Sequence, residues 1–490
     1  MQALLLMASL AFTAEKVAAP PKLAAPASKP AAAPEEEKVF TPDLEQKLET
    51  GLRQEYVKDH YNAAVNLFAV IVDAPESELK RDVAELNFAQ ALVAIGLTQA
   101  AIEYYIDIIE GRRSPEMLGR ALGALADLSR ARLLDEDRLI DEVLFGAQYG
   151  DLPAETSEFV EYYQALGELR RGLQQWGTAR LESLAKKDTV YGWKARYTLG
   201  VERLVDKNED AAEKLFDTIA HSDKAPEDVR DDARTAAARM RYEHKAYSEA
   251  FALYSEVHAP LADLDLVLLE KAWTKVADRD ERRALGMVVG LGAPIYRHIF
   301  APERDLIRAV ALNRLCQFRA AHLTVLAFRD RYREVLDKIR ERKSLADDKL
   351  LHQGALSGES LAKVAKVRAR LIDEQERVGN VSDSRMREHL KSIYALRVAR
   401  ADAVIARGLE GALVHSADEL LRVDEQMNII DYEIGVGLFK RSREESLSRE
   451  RKAHLAAPLD SRDVFYRFDG EYWSDELNDY SVFADDRCVQ

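Results

Sequence analysis

The chain has 490 residues, of which 47% are hydrophobic and 32% charged, with 23 glycines and 14 prolines. This composition is typical of a folded protein rich in helix-favouring residues, and it disfavours an all-β fold. The formal net charge of −15 excludes a general nucleic-acid binder, because such a protein needs a basic face to displace counterions from phosphates. We therefore expect an all-α protein whose partners do not include nucleic acid.

Residues 1–14 (MQALLLMASLAFTA) form a short apolar run that ends in small residues and resembles a secretory signal peptide, with cleavage after Ala11 or Ala14. No Lys or Arg precedes the run, so the usual basic segment is missing or the start codon lies further upstream. No later apolar stretch reaches the length of about 18 residues that spans a bilayer. The expected location is the periplasm, with no integral membrane segment after cleavage; a cytoplasmic protein with an apolar N-terminus is the alternative.

Residues 15–40 are rich in Ala, Pro and Lys and offer no apolar face for a core. Such a composition favours an extended, partly polyproline linker. The linker is expected to join the signal peptide to a folded region that begins at residue 41.

Residues 41–335 repeat with a period of roughly 34–38 residues, which is the period of helix pairs. Each unit has small residues where two helices touch and large apolar residues that fill the space beside the next pair. Weaker units fill the gaps around Asp137 and Glu281, giving about eight helix pairs in all. The two clearest units contain Gly200, Ala212, Phe216, Ile219 and Pro226, and Ala238, Tyr247, Ala250, Tyr254, Val257 and Pro260. The others contain Tyr61, Ala64, Phe68, Ile71 and Pro75; Ala89, Leu92, Gly96, Ala101, Tyr105 and Ile108; Gly167, Trp176 and Ala179; and Ala309, Leu312, Phe318, Ala321, Val325 and Phe328.

This pattern resembles the tetratricopeptide-repeat (TPR) family. The resemblance implies a solenoid in which stacked helix pairs bury a continuous core and present an extended surface that binds other proteins.

Residues 336–457 are predicted to form a long helical hairpin, with breaks at Gly354, Gly358 and the turn at 379–384. Apolar residues in both helices follow the three-and-four spacing of a coiled-coil seam. We expect the two seams to pair within one chain; dimerisation through them is the alternative. The seam residues are Leu361, Val364, Val367 and Leu371 in the first helix and Leu413, Leu420, Val423, Met427, Ile430 and Ile434 in the second.

Residues 458–490 form a C-terminal tail in which aromatic residues alternate with Asp and Glu. Such a segment is too aromatic for an ordinary disordered tail. One interpretation is a cap that packs on the helices, and the other is a set of anchors for a partner protein, since Tyr and Trp dominate interface hot spots. The residues concerned are Phe465, Tyr466, Phe468, Tyr472, Trp473, Tyr480 and Phe483.

No motif for catalysis, metal or cofactor binding stands out. The ten histidines form no paired metal-ligand motif, and no nucleophile elbow or Walker motif occurs. Gly286, Gly290 and Gly292 faintly suggest a phosphate loop, but the lack of a preceding strand and of a following Lys favours a helix end and turn. We expect a protein that is not an enzyme, with no cofactor, no metal and no small-molecule substrate.

The chain has two cysteines, Cys316 and Cys488. In a reducing compartment both would be bystanders. In an exported protein an even count favours a disulfide, which would hold the tail against the last repeat and close a long loop.

Residues 293–332 and 470–488 are similar to a lineage of envelope TPR proteins from myxobacteria and their relatives, some of which belong to the adventurous-gliding (Agl/Glt) motility machinery. This resemblance implies a periplasmic component of an envelope-spanning complex that contacts other proteins of that complex. A periplasmic adaptor or chaperone-like factor for cell-wall or outer-membrane assembly is the alternative.

Overall fold

All regular secondary structure in the described part of the chain is helical. The computed structural model describes residues 39–76, 78–111, 114–258, 264–296, 299–447, 470–473, 476–477 and 479–488. Every regular element in these ranges is a helix, so the all-helical prediction is confirmed for them. The predicted signal peptide and nearly all of the predicted linker lie outside the described residues.

The α-helices follow one another with short connections. Their bounds are α1 Pro42–Tyr56, α2 His60–Asp73, α3 Leu79–Ala94, α4 Thr98–Gly111, α5 Pro115–Arg130, α6 Glu136–Arg138 with a π-helical continuation Leu139–Leu144, α7 Ala154–Arg170, α8 Gln174–Leu184, α9 Val190–Val205, α10 Glu209–Ala220, α11 Glu227–Glu243, α12 Tyr247–Ser255, α13 Asp265–Ala277, α14 Glu281–Gly290, α15 Glu303–Arg314, α16 Phe318–Arg340, α17 Lys349–Ser357, α18 Glu359–Val378 and α19 Ser384–Leu447.

These helices belong to two compact units. Among the described residues, the first unit comprises residues 39–199 and 363–407, and the second unit comprises residues 200–362 and 408–488. In the first unit α1 packs on α2 and α3, and α3 in turn packs on α4 and α5. The second unit repeats this arrangement, with α13 against both α14 and α15. Both units therefore have a helical-repeat arrangement.

A repeated turn closes the helix pairs. The turn between the two helices of each pair contains one residue in the left-handed region, and these residues are spaced 34 to 40 positions apart. In the first turn the amide of Asp59 donates to the carbonyl of Gln54 at 2.9 Å, and the amide of Lys58 donates to the carbonyl of Glu55 at 3.0 Å. This is the Schellman motif that ends a helix and reverses the chain. The left-handed residues are Lys58, Gly96, Arg132, Gly172, Lys207, Lys245, Arg279 and Cys316.

Small residues let the paired helices approach. A Cβ added at Gly51 of α1 would lie 2.8 Å from Leu67 Cγ of α2, and one at Gly200 of α9 would lie 2.6 Å from Phe216 Cε1 of α10. The sequence pattern misassigns one large apolar residue, because Trp176 of α8 is 69% exposed. Gly177 packs against Leu169 there instead.

α18 and the first part of α19 run antiparallel in the first unit. The Tyr394 hydroxyl donates to Glu374 Oε2 at 2.6 Å, and Arg368 pairs with Asp402. The same Glu374 oxygen accepts the backbone amide of Gln99 at 2.8 Å, which ties α4 to this helix pair. The polar contacts at the ends of these side chains fix the register of the three helices.

The second predicted seam, from Leu413 to Ile434, has a different neighbour from the expected one. These residues are buried in one cluster with α15, α16 and α17, and polar contacts along its edge join α19 to α16. Asp431 accepts from Arg329 Nη1 at 2.9 Å, and Asp424 accepts from Arg340 Nη2 at 2.6 Å. The expectation that the two seams pair is wrong over this stretch, because α18 begins only at Glu359, opposite the Gly408 region of α19.

α16 also runs through Tyr332 to Arg340, so the change of sequence period near residue 335 falls inside a helix. None of the described helices combines the length and the apolar character that a membrane-spanning segment requires.

Candidate functional site: the C-terminal segment and its disulfide

The site begins with one face of α14 in the second unit. Asp280 starts this helix, because its carboxylate accepts the backbone amide of Arg283 at 3.2 Å. Arg282, Gly286 and Gly290 follow at intervals of four residues, so they lie on one helix face. Two of the three positions have no side chain, which leaves the helix backbone open to close approach.

The tail crosses this open face. A Cβ added at Gly286 would overlap the carbonyl of Tyr480, and one added at Gly290 would lie 2.6 Å from the carbonyl oxygen of Leu477. Gly292, just beyond the helix, meets the Tyr472 hydroxyl in the same way at 2.9 Å. Only glycine permits this contact between the backbones of two distant segments.

The hydrogen bonds between the tail and the helices involve the tail's main chain. The Val482 amide donates to the Arg282 carbonyl at 3.1 Å, and Arg282 Nε donates to the Ala484 carbonyl at 2.9 Å. At the turn between α15 and α16, Gln317 Nε2 donates to the Asp485 carbonyl and the Arg487 amide donates to the Leu315 carbonyl, both at 2.9 Å. These four bonds define the path of the tail's main chain over α14 and the α15–α16 turn.

Three apolar side chains of the tail enter the core. Leu477 and Tyr480 are 4% and 7% exposed and pack with Leu268, Met287 and Leu291. Ala484 is also buried, in a cluster with Leu285, Leu312 and Leu315. Burial of a side chain such as Leu477 contributes about 1.5–3 kcal/mol. The tail is thus packed on α14 by apolar contacts as well as by hydrogen bonds.

A disulfide joins the docked segment to the turn between α15 and α16. The Sγ atoms of Cys316 and Cys488 are 2.09 Å apart and their Cα atoms 5.1 Å apart. Cys316 is the left-handed residue of the last helix pair, with φ of 52°. The two bonded cysteines are separated by 172 residues, and a loop of that length stabilises the fold by about 5 kcal/mol in the chain-entropy model.

A buried lysine lies beneath the tail. Lys271 of α13 has no exposed surface, and its Nζ lies 4.9 Å from the centre of the Phe251 ring. Burial lowers the pKa of Lys271 to about 8; the negative charge of Asp479 on the tail opposes this effect, and the charge of Lys275 adds to it. The Nζ of Lys275 also lies over the Phe251 ring, 4.1 Å from its centre.

The predicted aromatic residues of the tail divide into three groups. Tyr480 is buried, and its hydroxyl accepts the backbone amide of Trp473 at 3.0 Å, while Tyr472 is half-buried against the same core. Trp473 and Phe483 are each 45% exposed. The remaining three lie outside the described residues, namely Phe465, Tyr466 and Phe468.

The sequence interpretation missed the role of the glycines. Gly290 ends α14 and Gly292 lies in the following turn, as expected, but Gly286 lies inside the helix. A glycine inside a helix lowers stability by about 1 kcal/mol relative to Ala. Its presence at position 286 therefore indicates that a side chain would not fit there. The spacing of four residues between Gly286 and Gly290 is the signal that predicts a surface for close backbone contact.

The second unit also contains a polar opening of about 540 Å³ between α10, α11 and α12. Arg241 lies at its centre and pairs with Asp217 at 2.7 Å, with Glu249 at 3.1 Å and with Glu213. Across the described ranges, no three or more His, Cys, Asp or Glu side chains are arranged to hold a metal ion. The geometry of the tail is therefore the more specific feature.

The comparisons with known proteins give no further guide. No protein-family model matches the chain, and no curated protein and no solved structure matches it either.

Proposed function

We propose that the chain is a non-enzymatic scaffold that binds other proteins, built as a TPR-like solenoid whose last repeat packs on a long coiled-coil-like helix. The observation that carries this proposal is the left-handed Schellman turn that recurs every 34 to 40 residues. Stacked helix pairs of this period form extended surfaces that suit protein partners. We propose no cofactor and no small-molecule substrate.

We propose the periplasm as the location. The Cys316–Cys488 bond supports this proposal, because structural disulfides persist in oxidising compartments and are rare in the cytosol. The apolar run at residues 1–14 supports it independently. A cytoplasmic protein with two reduced cysteines is the alternative.

Within the periplasm we propose a role in an envelope-spanning complex of the gliding-motility type. The support is the sequence resemblance of residues 293–332 and 470–488, and these two segments meet at the disulfide and at the α15–α16 turn. Two segments that contact each other are expected to keep their sequence patterns together among related proteins. The alternative is an adaptor for cell-wall or outer-membrane assembly.

The test combines crosslinking with gene deletion. The intact protein, carrying a photo-crosslinker at the exposed Trp473 position, is expected to crosslink to envelope proteins in living cells. A matched crosslinker at the buried Tyr480 position controls for random capture. Deletion of the gene is expected to abolish surface motility and to leave resistance to detergent unchanged. A motile, detergent-sensitive deletion strain would support the assembly adaptor instead, and crosslinking only to cytosolic proteins would exclude both.

A further inference from the structure

The groove under the tail is formed by α13, α14 and α15. Its apolar floor consists of Leu268, Met287 and Leu291, which belong to a core shared with Ala272 and Val276. These helices pack on one another directly. The tail therefore lies on a surface that the helices themselves shape, as a peptide ligand lies in a preformed groove.

Recognition in this groove involves both the main chain and the side chains of the tail. The absence of side chains at Gly286 and Gly290 leaves room for the backbone of Tyr480 and Leu477. The Arg282 carbonyl accepts the Val482 amide, and Arg282 Nε donates to the Ala484 carbonyl. Side chains contribute at Leu477, Tyr480 and Ala484, whereas Ser481 and Phe483 between them are exposed. The docked segment turns before Tyr480, because the Glu476 amide donates to the Trp473 carbonyl at 3.1 Å and the Asp479 amide donates to the Glu476 carbonyl at 2.9 Å. Such a groove fits a segment that makes the same turn and has apolar residues at these intervals.

The charge at one position adds a preference. Lys271 is buried under the groove, and Asp479 of the tail is the acidic residue that acts on it. The tail that occupies the groove, residues 470–488, has six Asp and Glu residues and one Arg. A segment that takes its place is therefore expected to be acidic as well as apolar. The fitting ligand is an acidic and apolar peptide that makes the same turn as the tail.

The covalent bond that holds the tail is open to exchange. Cys488 is exposed and is the last described residue of the docked segment. A dithiol of another protein attacks one sulfur, forms a mixed disulfide and releases the other cysteine as a thiol. The second thiol of the same protein then attacks the mixed disulfide. The partner dithiol is thereby oxidised to a disulfide, and Cys316 and Cys488 are both reduced to thiols.

We propose that this groove of α13, α14 and α15 is a peptide-binding site that the chain's own tail occupies under control of the Cys316–Cys488 bond, and that opening this bond admits an acidic and apolar segment of a partner protein that makes the same turn. This inference rests on the proposed function, because it names the surface and the kind of partner of that scaffold. While the disulfide is closed, the tail competes at the high effective concentration of an intramolecular ligand.

The test uses the full chain with a tail that cannot dock. The triple variant Leu477→Asp, Tyr480→Asp and Cys488→Ser is titrated with a fluorescein-labelled peptide of residues 470–488 that carries Ser in place of Cys488. Fluorescence anisotropy is expected to show saturable binding to this variant and none to the oxidised wild type. No binding to the variant, or equal binding to the oxidised wild type, would overturn the proposal.

A matched pair of glycine substitutions tests the position of the site. Gly286→Ala added to the triple variant is expected to weaken peptide binding at least about tenfold, because its Cβ overlaps the peptide backbone. Gly435→Ala has open space around its Cβ and is expected to leave binding unchanged. Both changes favour a helix, so misfolding is not the expected result of either. Equal effects of the two would contradict the assigned groove.

The wild-type protein gives a second readout that needs no variant. Reduction of the disulfide is expected to raise the hydrogen-exchange rates of the Val482 and Arg487 amides about tenfold or more, while amides in the middle of α13 and α15 keep their rates. Unchanged exchange at Val482 would overturn the proposal. Peptide binding in vitro without envelope crosslinks would overturn the proposed function alone, and crosslinks without peptide binding would overturn this inference alone.

Discussion

At the scale of single residues, the left-handed turn positions carry strain that the fold tolerates. Six of the eight are not glycine, and a non-glycine residue in this region costs about 1–2 kcal/mol. Five of those six are Lys or Arg, whose positive charge is favourable at a helix C-terminus. The electrostatic gain offsets part of the backbone cost.

Lys245 tests this balance, since it is exposed and has φ of 63°. Lys245→Gly is expected to raise the free energy of unfolding by about 0.5–1 kcal/mol, because glycine adopts this conformation without a Cβ clash. Gly172→Ala at the equivalent turn is the matched control and should lower it by a similar amount. Urea denaturation followed by circular dichroism measures both, and a destabilised Lys245→Gly would contradict the turn geometry.

The buried amine of Lys271 predicts a pH dependence. Its folded pKa of about 8 lies below the ordinary value of 10.5, so between these values the unfolded chain binds one more proton than the folded chain. Stability from this group therefore rises as the pH increases, by about 2 kcal/mol from pH 8 to pH 10. Lys271→Met should remove this rise, whereas Lys214→Met at an exposed position should keep it. Urea denaturation at pH 8 and at pH 10 measures the change in the free energy of unfolding for each variant. A Lys271→Met variant whose stability still rises as in the wild type would contradict the lowered pKa of Lys271.

At the scale of elements, the contact between α4, α18 and α19 depends on one buried carboxylate. Glu374 is 5% exposed and accepts from both Tyr394 and the Gln99 amide. Burial raises the pKa of Glu374, and the hydrogen bonds from Tyr394 and Gln99 oppose that rise. Loss of either donor leaves a buried acceptor less well satisfied.

Tyr394→Phe is therefore expected to lower the free energy of unfolding of the first unit by about 1–3 kcal/mol. Tyr432→Phe is the matched control in the same helix, and it should change stability little because Tyr432 is 75% exposed. Thermal unfolding monitored by circular dichroism compares the two. Equal midpoints would show that the Tyr394 hydroxyl makes no net contribution.

The elements also show how far the sequence determines the structure. Spacing of Ala and aromatic residues predicts helix pairs, because that pattern arises within two neighbouring helices. The neighbour of the Leu413–Ile434 face is not predictable in this way, since an apolar helix face fits α16 as well as α18. Gly286 looks like a local helix breaker until the tail, far along the chain, is placed on it.

At the scale of the whole molecule, the disulfide lies within the second unit only. Trp176 and Trp193 report on the first unit, and Trp273 and Trp473 report on the second. The described residues thus contain separate fluorescence reporters for the two units.

The double variant Cys316→Ser and Cys488→Ser should lower the unfolding free energy of the second unit by about 2–5 kcal/mol. Its effect on the first unit should be small. Denaturation of variants that retain only Trp193 or only Trp273 measures each unit. A larger shift of the Trp193 signal would contradict the assignment of the disulfide to the second unit.

The Cys316–Cys488 bond holds the tail covalently, and we propose that the chain is an exported scaffold. The most direct test of both statements is the intact mass of the protein isolated from its own cells after immediate trapping of free thiols with an alkylating reagent. We expect a chain that lacks residues 1–11 or 1–14 and carries no alkyl group, because Cys316 and Cys488 are bonded to each other. A chain that retains its first residues and carries two alkyl groups would contradict the account.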